Sequence, residues 1–165
     1  MTQEVLVIVD PGFEEVEATI STDLLRRAGL SVTIASTTDQ TEVQGMCGLS
    51  VKADALLLDV KDKDFSCLVI PGGSNVHTLI KNPDVAEFLK KHHQKGRLIL
   101  AVCGGPILLY HAGILDGKKY TASPTSKDVL LHIEPQAVVE DGNIITARDL
   151  VATFEASLKI INRKT

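Results

Sequence analysis

Short apolar runs separated by amphipathic stretches constrain this chain more than any other feature. Residues 5–9, 67–70 and 98–102 are apolar throughout, and residues 30–35 are rich in β-branched side chains. A strand with one wet face alternates apolar and polar positions. A run that is apolar throughout fits a strand covered on both faces, the usual state of strands in parallel sheets. Amphipathic stretches lie between the runs at residues 14–28, 83–95 and 106–112, closed by Gly29, Gly96 and Gly113. Proline near the start and glycine just past the end punctuate helices. The order is β-α-β, a short excursion around residues 45–52, then β-α-β-α. It predicts an α/β sandwich with a mostly parallel sheet. Two further strands are expected at residues 137–140 and 143–146, joined by the turn pair Asp141-Gly142. A last helix over about residues 150–162 completes one domain across residues 1–165, with no internal repeat, linker or low-complexity tract.

Composition removes several classes of function. A chain of 165 residues buries about 70% of its unfolded surface and needs neither disulfide nor metal to hold a core. Three cysteines, an odd number without zinc spacing, and an acidic rather than basic start at Met1-Thr2-Gln3-Glu4 predict a reduced, cytoplasmic protein with no metal and no cofactor. A net charge of −4, no basic cluster, and only four Phe and two Tyr for stacking argue against a nucleic-acid partner. The apolar runs are too short to cross a membrane.

The run at residues 98–102 ends at Cys103-Gly104-Gly105-Pro106. Two glycines let the backbone turn sharply and the proline suits the first turn of a helix, so Cys103 is placed at a strand-to-helix elbow. A thiol at a helix N-terminus is expected to have its pKa lowered from about 8.5 to roughly 3.5–7.5. A lone cysteine after an apolar strand is otherwise an ordinary core residue. Ligands of open parallel sheets bind beyond the carboxyl ends of the strands. There the first strand is followed by Asp10-Pro11-Gly12-Phe13-Glu14-Glu15-Val16-Glu17. Glu14 and Glu15 need no role beyond complementing the helix dipole. Glu17 shares an apolar stripe with Ile20 and Leu24, and a carboxylate facing a core demands a partner or a proton. The next strand end, Ile70-Pro71-Gly72-Gly73, offers main-chain N–H groups suited to an oxyanion. A nucleophile, an acid and N–H donors thus converge at one sheet edge.

These residues carry a family resemblance. Gly12 to Glu17, Leu24 to Gly29, Val69 to Gly73, Ala101 to Pro106 and Ala112 to Lys119 resemble the ThiJ/PfpI superfamily, most of all its parkinsonism-associated deglycase branch, in order along nearly the whole chain. The resemblance implies a flavodoxin-like three-layer sandwich and a homodimer burying part of the first helix and the surrounding loops. It also implies a pocket in which Cys103 is the working thiol, Glu17 its partner, and the amides of Gly72, Gly73 and Gly104 the donors.

The chain departs from the superfamily's patterns in several places. Gly104 stands where protease-like members carry a histidine after the cysteine, which speaks against a peptidase triad. Ser123 stands where deglycase-type members carry a pocket histidine. Asp149-Leu150-Val151-Ala152 follows Arg148 in place of a glycine-proline-glycine-threonine turn, and Cys47 takes the position of an arginine near the pocket. The histidines supply no replacement. His92 and His93 read as exposed cations in the last turns of a helix, His77 as a surface residue, and His111 and His132 have no committing spacing. Cys67, inside an apolar run, reads as inert. Two functions are compatible with this pattern. One is a cysteine-dependent, glyoxalase- or deglycase-like stress or detoxification protein, in which Cys103 attacks small reactive aldehydes, Glu17 passes protons and the amides hold the oxyanion. The other is a non-catalytic redox sensor or chaperone-like protein, in which an oxidant converts Cys103 reversibly to an oxyacid hydrogen-bonded by Glu17.

Overall fold

The computed structural model describes residues 3–163. In chain order the main elements are β1 (Glu4–Val9), α1 (Glu15–Arg27), β2 (Ser31–Ser36), β3 (Glu42–Gln44), β4 (Ser50–Lys52), β5 (Ala55–Leu56), α2 (Leu57–Val60), β6 (Cys67–Ile70), α3 (Val76–Leu79), α4 (Pro83–Gln94), β7 (Leu98–Val102), α5 (Pro106–His111), β8 (Val138–Asp141), β9 (Ile144–Ala147) and α6 (Ala152–Asn162). Seven strands form one sheet in the order β5-β2-β1-β6-β7-β9-β8. All its pairings are parallel except β8 with β9. β3 and β4 make a separate antiparallel hairpin.

Alternate residues of the central strands feed opposite sides of the sheet. Leu6, Ile8, Leu68, Ile70, Ile99 and Ala101 pack with side chains of α2, α3, α4 and α5. Val5, Val7, Val9, Val69, Leu100 and Val102 pack with α1 and α6 through Ala18, Leu25, Ala156 and Ile160. Both faces are therefore dry, which is why these runs lack polar alternation. Each large apolar side chain so buried contributes about 1.5–3 kcal/mol of transfer free energy. This is the expected flavodoxin-like three-layer sandwich. Among the described residues no helix is long and apolar enough to cross a membrane.

The helix punctuation operates through identifiable atoms. Glu14 caps α1, its carboxylate accepting the Glu17 N–H at 2.7 Å, and Gly29 closes it with φ +80°. Asn82 caps α4 by accepting from the amides of Asp84 and Val85. The closing hairpin turns one residue later than expected, because Gly142, at φ +63°, supplies the left-handed position while Asp141 remains in β8.

The chain runs from β1 outward to β2 and β5, then returns past β1 to β6. The direction of winding thus reverses between β1 and β6. Loops leaving the carboxyl ends of strands at such a switch point diverge and leave a crevice. The segment after β1 carries Glu17, the segment after β6 carries Gly72, and β7 ends at Cys103.

Candidate functional site

Cys103 has φ +57°, the sole positive φ outside glycine among the described residues. A left-handed conformation at a residue with a Cβ costs of order 1–3 kcal/mol and persists only when its surroundings enforce it. Here the Cys103 N–H donates to the Ala147 carbonyl at 2.8 Å, and the Cys103 carbonyl accepts the Ser123 N–H at 2.9 Å. The turn also needs Gly105: a Cβ there would lie 2.7 Å from the Ile70 carbonyl oxygen and 2.9 Å from that of Val102. These constraints form the elbow and leave Cys103 half-buried.

Glu17 is 1% exposed. Its Oε2 accepts the Gly72 N–H at 2.6 Å, and its carboxyl hydrogen-bonds with the Cys103 thiol. Gly72 is the point of closest approach, since a Cβ on it would stand 2.8 Å from the Gly104 nitrogen, 2.9 Å from Cys103 Cβ and 3.1 Å from Glu17 Oε2. The structure therefore brings Cys103, Glu17, Gly72 and Gly104 into one cluster. Burial, first of all, pushes the Glu17 carboxyl up to about 7; the Gly72 N–H opposes this, and the charges of Glu14 and Asp149 reinforce it.

Two expectations are corrected here. The thiol of Cys103 is raised to about 11, not lowered, because burial and the Glu17 charge outweigh stabilisation by the Ser123 hydroxyl and the Gly104 N–H. The six-residue α5 does not offset that desolvation. Carboxyl and thiol titrate as a pair, and the first proton leaves predominantly from Glu17. The Gly72 N–H, expected as an oxyanion donor, is occupied by Glu17. Gly73, at φ +122°, faces the segment before α1 in an isolated bridge with Phe13, and its N–H has no hydrogen-bond partner among the described residues. The Gly104 N–H is directed at the sulfur.

Glu15 was underestimated by the sequence reading. It is 4% exposed, and its Oε1 accepts the amide N–H groups of Cys47 at 2.6 Å and Leu49 at 3.3 Å. Its other oxygen is buried without a partner among the described residues. Glu15 thus fastens the tip of the β3–β4 hairpin to the start of α1. Cys47 sits exposed on that tip, tied by its main chain rather than its thiol. Asp149 bears on the site through its charge while capping α6 by accepting the Ala152 N–H. No spacing in the sequence signals either role.

No histidine is among the groups that shift the Cys103 thiol, and His77, His111 and His132 are exposed. His92, expected to be an exposed cation, is 5% exposed. Its Nε2 lies 3.0 Å from the Leu98 carbonyl oxygen, and burial lowers its pKa. Cys67 is buried inside β6, and desolvation pushes its thiol far above the usual range.

The profile of the DJ-1/PfpI family matches residues 3–163. The chain is similar to protein dj-1beta of Drosophila melanogaster, with 34% identity over 97% of this chain and 88% of that protein. It is also similar to the glutathione-independent glyoxalase DJR-1.2 of Caenorhabditis elegans, with 33% identity over 94% and 86%. The solved structure of oxidized Toxoplasma gondii DJ-1 superimposes with a TM-score of 0.93 at 33% identity, covering 98% of this chain and 90% of that one.

Proposed function

The chain belongs to the DJ-1/PfpI family, and from that premise we propose that it is a cysteine-dependent detoxification protein acting on small reactive aldehydes. One observation carries this reading: a thiol held at a positive-φ elbow in contact with a buried carboxyl whose pKa lies near 7. A group titrating there takes and returns protons at the pH of the cell. Similarity to a protein named as a glutathione-independent glyoxalase supports the same class.

With an α-oxoaldehyde, the Cys103 sulfur bonds to the aldehyde carbon and the carbonyl electron pair moves to oxygen. The Glu17 carboxylate accepts the thiol proton and returns it to that oxygen, giving a hemithioacetal with no net change of protons. The amides of Gly73 and Gly104 are the donors available to the developing oxyanion. Glu17 then carries the C–H proton of the same carbon to the neighbouring carbonyl carbon through an enediol, while the hydroxyl proton of the hemithioacetal passes to that neighbouring carbonyl's oxygen, leaving a thioester with no net change of protons. Water hydrolyses it to a 2-hydroxy acid and restores the thiol. The Gly72 amide has a positioning role, holding Glu17 in place.

A second reading, reversible oxidation of Cys103 without turnover, is favoured by the neutral form of Glu17, which donates a hydrogen bond to an oxidised sulfur. A homodimer belongs to either reading. Val16 on α1 and Phe154 and Leu158 on α6 are exposed. Beside α1 lies a groove of about 310 Å³ lined by Val9, Ala18, Thr22, Ile34 and Val51, and the buried Thr22 hydroxyl has no partner among the described residues.

The test is methylglyoxal consumption with lactate detection, for the parent chain, Cys103→Ser and Glu17→Gln, paired with mass spectrometry of Cys103 after mild peroxide. Turnover by the parent that falls at least about 100-fold in both variants is expected. A parent that turns nothing over but gains oxygen at Cys103, to an extent altered by Glu17→Gln, establishes the second reading. Neither behaviour overturns both.

A further inference from the structure

The raised, half-buried thiol of Cys103 needs a route by which its proton reaches solvent, and no histidine is among the groups that act on it. The fold sets the hydroxyl of Ser123 against the sulfur instead. Ser123 is 9% exposed, and its N–H donates to the Cys103 carbonyl at 2.9 Å, so its main chain moves with the elbow. Behind it, Thr125 Oγ1 lies 2.8 Å from Ser123 Oγ, and the Thr125 N–H donates to the same Oγ at 3.3 Å. Thr125 is exposed. Pro124, in the 3₁₀ turn Pro124–Ser126, restricts the backbone that joins the two hydroxyls.

We infer that Ser123 and Thr125 form a two-hydroxyl proton conduit between the Cys103 sulfur and solvent. The inference rests on the reading of Cys103 as the working thiol. A hydroxyl has one donor and two acceptor sites, and here all three are used whether the sulfur is protonated or not. With the thiol protonated, S–H donates to Ser123 Oγ, the Ser123 hydroxyl donates to Thr125 Oγ1, and the Thr125 hydroxyl donates to water. When each donor passes its proton one step outward, water gains one proton and the sulfur becomes a thiolate. Every hydroxyl has lost one proton and gained one. The bonds then run the other way, with Thr125 donating to Ser123 and Ser123 donating to the thiolate. In both states the Thr125 N–H occupies the remaining acceptor site of Ser123, so neither leaves a buried polar group unpaired. The conduit exchanges the sulfur's proton with solvent between turnovers, whereas Glu17, hydrogen-bonded to the same thiol, takes that proton and returns it to substrate during attack.

The pH dependence of Cys103 alkylation by iodoacetamide tests this, with peptide mass spectrometry separating Cys103 from Cys47 and Cys67. Ser123→Ala removes a hydrogen bond to a charged sulfur. It is expected to shift the alkylation profile about one pH unit upward and to slow labelling near pH 8 about tenfold. Ser123→Thr keeps the hydroxyl and is expected to stay within about twofold of the parent. Thr125→Val is expected to shift the profile in the same direction by less. A Ser123→Ala profile that superimposes on the parent's overturns the conduit, and so does a Ser123→Thr protein as slow as Ser123→Ala. Circular dichroism melts establish that each variant is folded. If Ser123→Ala does not fold, a Thr125→Val profile unchanged from the parent's overturns the proposal and a shifted one sustains it. Alkylation requires no aldehyde turnover. A parent inactive on methylglyoxal whose Ser123 series still shifts removes the glyoxalase reading and leaves the conduit standing.

Discussion

Glu17 is an acid that folding makes weaker. Burial raises its carboxyl from 4.5 to about 7, so between those values the folded chain keeps a proton that the unfolded chain has released. Stability from this group is therefore fully present below about pH 4.5 and is lost as the pH rises through 7, a loss of about 3 kcal/mol. Glutamine retains an oxygen for the Gly72 N–H and has nothing to ionise. Urea denaturation should show the parent losing stability between pH 5 and pH 8 relative to Glu17→Gln, with the variant about 3 kcal/mol more stable at pH 8. Parallel profiles for the two proteins would refute the assignment. Cys103 is the counterpart case. Its place at the end of an apolar run is legible in the sequence, whereas its pKa depends on a carboxylate that lies far away along the chain. A helix N-terminus lowers a thiol's pKa when little else acts on it. Beside Glu17, desolvation and like charge dominate.

At the scale of elements, the β3–β4 hairpin is placed by one side chain. Both ends of the Glu15 contact are tight: Oε1 takes two amides from the hairpin tip, and no side chain fits at Gly45, where a Cβ would overlap the Glu15 carboxyl. Glu15→Ala releases the tip. We expect a loss of about 1–3 kcal/mol and faster hydrogen exchange at the amides of Cys47 and Leu49, while exchange in β1, β6 and β7 stays slow. Unchanged protection at Cys47 and Leu49 would show that the hairpin holds itself. The main elements were legible because each is long enough to display a period or a cap. Glu14 to Gly29 announces a helix by its acidic start and terminal glycine, and the apolar runs announce strands covered on both faces. β5 and α2 were not legible. They span only two and four residues, too few for periodicity, and they exist because neighbouring strands and the core accept them.

For the whole molecule, the expectation is a pair of 17.8 kDa chains joined across α1 and α6. Val16 and Phe154, 39% and 51% exposed, would become buried in such a pair. Sedimentation at micromolar concentration should report a particle of twice the chain mass, and Val16→Glu with Phe154→Glu should reduce it to one. A single-chain particle from the parent would remove the homodimer. The sequence by itself determined the layered α/β fold, its nearly parallel sheet and the elbow at Cys103, because apolar runs, helix punctuation and paired glycines act over a few residues. It also marked Glu17, since a carboxylate on an apolar stripe is conspicuous wherever the stripe packs. Only the tertiary structure decided what these groups do to one another. It directs the Gly72 amide to Glu17 rather than leaving it for substrate, buries Glu15 under a hairpin, covers His92, and sets the Ser123 hydroxyl against the sulfur. Each of these depends on distances between segments remote in sequence. Hydrogen bonding, desolvation and Coulomb energy vary steeply with those distances, and no local pattern of residues encodes them.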